Sequence, residues 1–280
     1  MDLPAVPRLG RVSRRQSARE ETRYRARSIG SVQYSTSRYG HEDASMVVYR
    51  FGLRGDRSAP DFVLVHGIGV SARSYGPTAA ELAKYGDVYL VDLPGYGRSP
   101  RPDGDLSIVG HAQVLSDFLA EKKLDHPVVV GHSMGTQVVV QLAANWPDQV
   151  DHIALIAPVV VPAARSLLKV AGLLLRDGLR EPPIVGLIAF YDYLFRAGVP
   201  YMAQQLPHLL NERMEDIAGS VSAKTLVICG TDDPVVPVEW GRELAGLFPE
   251  NWFVTVPGPH ATMFAAPELI AGHLYEHALR

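Results

Sequence analysis

A serine flanked by glycines directly follows a short β-branched run, Pro127-Val128-Val129-Val130. The run predicts a buried strand, and the next five residues, Gly131-His132-Ser133-Met134-Gly135, fit the pattern Gly-x-Ser-x-Gly. The residues from Thr136 to Asn145 then have helical character. A strand, a glycine-flanked serine and a helix are the context of a nucleophile elbow, in which a strained turn exposes the serine hydroxyl. We predict that Ser133 is a nucleophile at a helix N-terminus, although a serine there could also serve only as a cap.

A serine hydroxyl needs an adjacent base, and the base needs an orienting acid. The segment Gly230-Thr231-Asp232-Asp233-Pro234 follows the predicted strand Thr225–Cys229, and Pro257-Gly258-Pro259-His260 follows the predicted strand Trp252–Val256. Ligand-binding residues of open α/β sheets lie on such loops, at the carboxyl ends of strands. The order serine, aspartate, histidine also fits this architecture. The loops therefore indicate His260 as the base, with Asp232 or Asp233 as the acid.

Acyl transfer also requires backbone N–H groups that stabilise an oxyanion. The segment His66-Gly67-Ile68-Gly69 follows a near-continuous apolar strand, and its glycines allow a close approach of backbone to substrate. We expect one N–H from Ile68 and the other from Met134, the residue after the nucleophile. His66 is expected to brace this loop. The chemistry requires no metal and no organic cofactor.

The elements that position these residues alternate between strand and helix on both sides of a helical segment. This alternation predicts the α/β class, with a mostly parallel, doubly wound sheet and a helical cap inserted after the sixth strand. The predicted core covers residues 31–157 and 223–280, and the cap covers residues 158–222. Residues 1–30 are expected to form a basic, flexible leader, because they hold eight arginines against Asp2, Glu20 and Glu21.

Composition restricts the classes of partner. The chain has 280 residues and a formal charge of −3, which argues against nucleic acid as the main partner. The single cysteine, Cys229, excludes an internal disulfide framework. Arg14-Arg15 is not followed by a hydrophobic segment, and no apolar run reaches the length of a membrane span, so a cytoplasmic location is expected. A contact between the basic leader and a membrane or an acidic partner stays an alternative.

From about Tyr34 to the C-terminus, the chain resembles the α/β-hydrolase family. The resemblance rests on five motifs in order: His66-Gly67, residues 92–99 (Asp-Leu-Pro-Gly-Tyr-Gly-Arg-Ser), the elbow, Gly230-Thr231-Asp232-Asp233, and Gly258-Pro259-His260. In this family the acid is the fourth residue of a Gly-x-x-Asp pattern, so the resemblance implies Asp233. It also implies that Asp92 and the glycine turn after it form a structural loop beside the pocket.

The resemblance also limits the reactions that we expect of this chain. Haloalkane dehalogenases and epoxide hydrolases of this family use an aspartate at the elbow, which Ser133 disfavours. Carbon–carbon hydrolases of meta-cleavage products keep a serine, but they carry a Ser-Gly-Pro-Gly type loop and a tryptophan soon after the histidine. This chain has Ile68-Gly69-Val70-Ser71 and Met263-Phe264 instead. Proline iminopeptidases show a Gly-Gly-Pro-Gly loop, which is also missing, whereas haloperoxidase-like esterases remain compatible.

The predicted cap is rich in apolar residues and holds few charges. Because a cap over the serine lines part of the pocket, we predict a hydrophobic ester of small to medium size as the substrate. A carbon–carbon hydrolase, a membrane-associated lipase-like esterase and a non-catalytic ligand-binding member of the fold stay alternatives. The apolar residues of the cap are Leu167, Leu168, Val170, Leu173, Leu174, Leu175, Ile184, Ile188, Phe190, Tyr191, Tyr193 and Phe195.

Overall fold

The computed structural model of the chain describes residues 24–29, 32–40, 43–52, 59–178, 186–187 and 191–280. These residues form a nine-stranded sheet with the strand order β1-β2-β3-β5-β4-β6-β7-β8-β9. The strands are β1 Tyr24–Ile29, β2 Val32–Gly40, β3 Ser45–Phe51, β4 Phe62–Val65, β5 Val88–Asp92, β6 Val128–His132, β7 His152–Ile156, β8 Lys224–Gly230 and β9 Asn251–Val256.

The sheet is antiparallel at one edge and parallel elsewhere. Strands β1, β2, β3 and β5 pair antiparallel, and all pairs from β5 through β4 and β6 to β9 are parallel. Every residue of the central strands β4, β5 and β6 is buried, as the near-continuous apolar runs predict for a covered parallel sheet. The predicted α/β class with a mostly parallel sheet is confirmed.

The α-helices lie between these strands and after the last of them. They are α1 Gly76–Leu82, α2 Ile108–Lys122, α3 Met134–Asn145, α4 Leu167–Gly178, α5 Val199–Asn211, α6 Met214–Ile217, α7 Val238–Ala245, α8 Thr262–Ala265 and α9 Pro267–Ala278. Helix α2 packs against α3, and α1 packs against the C-terminal α9. Pro267, which has no N–H to continue a preceding helix, begins α9, so the C-terminal helical region is divided into α8 and α9.

The sheet begins earlier than the sequence predicted. Residues 1–30 were expected to be a leader, but Tyr24–Ile29 form β1, which pairs with β2 in the register Arg27 to Tyr34. Because β1 is an edge strand, it tolerates charged residues, so its arginine-rich composition concealed it. The cap consequently follows the seventh strand and not the sixth. Residues 1–23 lie outside the described part of the chain.

The described part of the cap is mainly helical, and α5 is anchored to the core by several side-chain hydrogen bonds. The Tyr201 hydroxyl donates to the Pro94 carbonyl at 2.8 Å, and the Gln137 side chain donates to the Leu209 carbonyl at 2.9 Å. Gln205 bonds to His111 on α2 at 3.0 Å. These buried polar contacts fix α5 over the sheet. Among the apolar cap residues predicted above, Ile184, Ile188 and Phe190 lie outside the described residues, as do the side chains of Leu167, Val170, Leu174, Leu175, Tyr193 and Phe195.

Candidate active site

Ser133 lies in the sharp turn between β6 and α3. Its backbone has φ 53° and ψ −121°, a conformation that residues other than glycine rarely adopt. The flanking residues are glycines because there is no room for a side chain: a Cβ at Gly131 would collide with the Gly135 carbonyl, and one at Gly135 with the Val65 carbonyl. The Ser133 side chain makes no capping hydrogen bond to α3, so its hydroxyl does not stabilise the start of this helix.

His260 and Asp233 form a buried pair at the carboxyl ends of β9 and β8. The His260 Nδ1 lies 2.8 Å from the Asp233 Oδ2, so the ring donates to the carboxylate. The other carboxylate oxygen accepts from the backbone N–H groups of Val235 at 2.7 Å and Val236 at 3.0 Å. Burial raises the pKa of Asp233, but the charge and hydrogen bond of His260 and these two N–H groups outweigh it and hold the pKa below its ordinary value.

Asp232, the alternative acid in the sequence, is exposed, and its carboxylate accepts from the Thr231 hydroxyl at 3.2 Å. Its backbone N–H donates to the Gly258 carbonyl at 3.0 Å, which ties the acid loop to the loop of His260. The geometry therefore separates the two aspartates that the sequence pattern left equivalent. Asp233 contacts the imidazole, and Asp232 links the two loops.

The two other histidines of the motifs act as braces. The His66 ring accepts from the Leu93 N–H at Nε2 (3.0 Å) and donates from Nδ1 to the Gly67 carbonyl (2.7 Å), which joins the loops after β4 and β5. The His132 Nε2 donates to the His260 carbonyl at 3.1 Å. Burial and the nearby His260 lower the pKa of His132 to about 3, so its ring is neutral. His132 thus connects the elbow to the loop of the candidate base.

The loop after β4 lies directly against the nucleophile. Ile68 and Ser133 line the same cavity, and within the described residues neither the Ile68 N–H nor the Met134 N–H donates to a protein acceptor. A Cβ at Gly67 would lie 2.9 Å from the Ser133 Cβ and 3.3 Å from the His132 Nδ1. Gly67 therefore allows the backbone of this loop to approach the serine.

Gly67→Ala is expected to lower kcat/KM for an activated ester by about 100-fold, because a displacement of roughly 1 Å at the reacting atoms has this effect. Gly76→Ala is the matched control, since a Cβ there would meet no atom within 4 Å. The measurement is kcat/KM beside the thermal unfolding midpoint of each variant. Equal activity of both variants would contradict the proposed closeness of this loop to the reacting atoms.

A small apolar cavity lies above Ser133. Its volume is about 20 Å³, which holds about one water molecule. The rest of the lining consists of aliphatic side chains from the loops and the cap, so a bound group would be desolvated there. The lining residues are Ile68, Ser133, Val159, Val160, Val161, Ala164, Leu173, Leu209 and Val235.

Comparison with known proteins agrees with this geometry. A family model described as the alpha/beta hydrolase family matches residues 62–273, which is most of the chain. The chain belongs to the alpha/beta hydrolase family. A hydrolase from Pseudomonas aeruginosa PA01 has a similar structure, with a TM-score of 0.72 and 19% sequence identity over 90% of this chain and 99% of that chain.

Two curated proteins are similar to this chain in sequence. The pimeloyl-[acyl-carrier protein] methyl ester esterase of Chromobacterium violaceum is 29% identical over 246 residues, which cover 78% of this chain and 94% of the relative. An uncharacterized protein of Mycobacterium tuberculosis is 34% identical over 109 residues, which cover 39% of this chain. The match spans only 32% of that mycobacterial relative. The match of the family model confirms the family resemblance inferred from the motifs.

Two buried carboxylates of the cap were missed in the sequence. The Asp177 Oδ1 accepts the backbone N–H of His260 at 3.1 Å. Asp192 is 1% exposed and bonds to the Ser71 hydroxyl and the Arg73 guanidinium, directly after the loop of Ile68. In the sequence, each could have been recognised as an acidic residue inside an apolar segment. A carboxylate buried in such a segment needs a specific partner.

The site has no metal cluster in the part of the chain that the structure describes, where no group of three or more His, Cys, Asp or Glu side chains could hold an ion. No helix within the described ranges is long and apolar enough to cross a membrane.

Proposed function

We propose that this hydrolase cleaves a hydrophobic carboxylic ester of small to medium size through an acyl-enzyme on Ser133. The observation that carries the proposal is the His260–Asp233 pair, 2.8 Å apart and buried, next to a serine in a strained elbow. The His260 carbonyl is bonded to His132, the residue directly before the nucleophile, so the loop of the histidine lies against the elbow. A nucleophile, an oriented base and an apolar cavity together support acyl transfer.

The proposed reaction proceeds in two halves. The Ser133 hydroxyl attacks the ester carbonyl, and His260 Nε2 takes its proton while Asp233 stabilises the imidazolium. The N–H groups of Ile68 and Met134 hold the oxyanion, and the leaving alcohol takes the proton back from His260 as the C–O bond breaks. Water, deprotonated by His260, then attacks the acyl-enzyme and releases the acid. No step needs a cofactor or a metal ion.

The volume of the cavity favours short acyl chains within this class. A cavity of about 20 Å³ holds about one water molecule, so an acyl chain of several carbons would extend beyond it. Leu173 lines the cavity from α4 and is only partly buried, whereas Leu168 on the same helix is 85% exposed. Substitutions of Leu173 and Leu168 therefore distinguish an effect on the cavity from a general effect on α4.

In a panel of p-nitrophenyl esters, the native protein is expected to prefer acetate over hexanoate by at least about tenfold in kcat/KM. Leu173→Ala is expected to reduce that preference about tenfold, because it adds space where the acyl chain lies. Leu168→Ala should leave the preference unchanged. A preference for hexanoate in the native protein, or equal effects of both variants, would contradict this assignment of the acyl pocket.

The same panel separates the ester proposal from carbon–carbon bond hydrolysis. A meta-cleavage-type diketone is included beside the esters. Ester turnover without diketone turnover is the expected result. Diketone turnover with no ester turnover would assign the alternative reaction to the same serine.

A further inference from the structure

His260 is held from three sides by three different elements. Its ring donates to Asp233 at 2.8 Å, its carbonyl accepts from His132 at 3.1 Å, and its backbone N–H donates to Asp177 at 3.1 Å. The first two partners belong to the core of the sheet. The third, Asp177, belongs to α4 of the cap and is separated from His260 by 83 residues in the chain.

The chemical nature of this third partner is informative. A backbone N–H can also be satisfied by a neutral acceptor, such as a carbonyl or an amide oxygen. Asp177 is a carboxyl group that is only 5% exposed, and burial of a charged group is costly. A negative charge at this position would favour the imidazolium that forms on His260 when Ser133 loses its proton.

We infer that Asp177 is a positioning residue, through which the cap fixes the loop of His260 and favours its charged state during the reaction. The inference rests on the proposed function, because it assigns Asp177 an effect on the general base of that mechanism. It implies that the cap does more than cover the cavity. Through Asp177, α4 adds a contact from the cap to the two contacts that hold His260 from the core.

A second buried carboxylate of the cap makes a parallel contact on the other side of the site. Asp192 bonds to Ser71 and Arg73, which directly follow the loop of Ile68. The Arg73 guanidinium forms a salt bridge with it, so Asp192 ties the cap to the loop after β4. Unlike Asp192, Asp177 bonds directly to the backbone of the proposed general base, His260.

Charged and titratable groups approach His260 from three elements. Among the described residues they include Asp233 after β8, His132 at the end of β6 and Asp177 on α4. His132 is neutral at the pH of the assay, since burial lowers its pKa to about 3. Asp233 and Asp177 are the carboxyl groups among them, one bonded to the His260 ring and the other to its backbone N–H.

The test compares Asp177→Asn, which retains an acceptor oxygen, with Asp177→Leu, which removes it. We expect kcat for p-nitrophenyl acetate to fall about tenfold in Asp177→Asn and about 100-fold in Asp177→Leu, with KM nearly unchanged. The acidic limb of the kcat/KM pH profile should move about one unit to lower pH in both variants, because loss of a nearby negative charge makes His260 a weaker base.

Glu215→Gln serves as the matched control, since Glu215 is a partly buried carboxylate on α6 that bonds to Arg165 at 2.7 Å, outside the site. It should change neither kcat nor the acidic limb. Ser133→Ala is measured in the same series. Its full activity would refute the proposed function, whereas an inactive Ser133→Ala beside unaltered Asp177 variants would refute only the inference on Asp177.

Two other outcomes would also overturn the inference. If the unfolding midpoint of the Asp177 variants falls while their acidic limb stays at the native pH, Asp177 has a purely structural role. If KM rises and kcat stays constant, Asp177 contributes to substrate binding and not to the position of His260.

Discussion

Ser133→Ala is expected to lower kcat/KM for p-nitrophenyl acetate by about 10⁴-fold or more, leaving only the contribution of the oxyanion site and binding. The physical reason is that, among the described residues that line the cavity, Ser133 carries the one hydroxyl and the other side chains are aliphatic. The unfolding midpoint should change little, because the Ser133 side chain makes no capping hydrogen bond. Steady-state kinetics and thermal unfolding measure the two effects.

Ser107→Ala provides a matched control for this variant. Ser107 caps α2 by accepting the Gly110 N–H at 3.1 Å, so its loss is expected to cost about 1 kcal/mol of stability without changing activity. The two serines thus test the two roles that the sequence allowed for Ser133. A Ser133→Ala variant that is destabilised like Ser107→Ala but still hydrolyses the ester would show that Ser133 is only a cap.

Asp233→Asn is expected to lower kcat by about 10⁴-fold, because an amide does not stabilise the imidazolium and favours the wrong tautomer of His260. The bond from His260 Nδ1 to the Asp233 carboxylate, 2.8 Å long, holds Nε2 in the form that accepts the serine proton. Asp232→Asn is the control and should retain activity within a few-fold. Loss of activity in Asp232→Asn with retention in Asp233→Asn would reverse the assignment of the acid.

From the lowered pKa of Asp233 we also predict how stability and kcat/KM depend on pH. The folded-state pKa lies below the unfolded value of about 3.9, so the group contributes stability that is present above that pH and lost as the pH falls through the folded-state pKa. In the pH range where the enzyme is active, Asp233 stays ionised. The acidic limb of kcat/KM therefore reports the protonation of His260, and denaturant unfolding below about pH 4 should be less pH-dependent in Asp233→Asn.

The sequence was most informative where the chain imposes local constraints. A Cβ at either glycine of the elbow would meet the backbone of the same turn or of the adjacent strand, so the pattern Gly-x-Ser-x-Gly, placed between a strand and a helix, predicts the strained conformation of Ser133. The loops after β8 and β9 were predictable for a similar reason, since parallel strands bring their carboxyl ends to one edge of the sheet. The choice of Asp233 over Asp232 as the partner of His260 required the family resemblance, because both aspartates follow the same strand and either could point inward.

The sequence was least informative where residues distant in the chain meet. The contacts of Asp177 with His260 and of Asp192 with Ser71 depend on how the cap packs on the core, which no local pattern encodes. The role of His132 was hidden within its motif, because its partner is a backbone carbonyl and not a side chain. Strand β1 was concealed by its arginines, since pairing at a sheet edge imposes little on composition.

The central claim, an acyl-enzyme on Ser133, is tested most directly by mixing the protein rapidly with p-nitrophenyl acetate and following the first turnover. We predict a burst of p-nitrophenol equal to the concentration of active sites, together with an intact-protein mass increase of one acetyl group that maps to the peptide containing Ser133. In Ser133→Ala both signals should be lost. Steady release of product without a burst in the native protein, with the acetyl group on another residue or on none, would contradict the account.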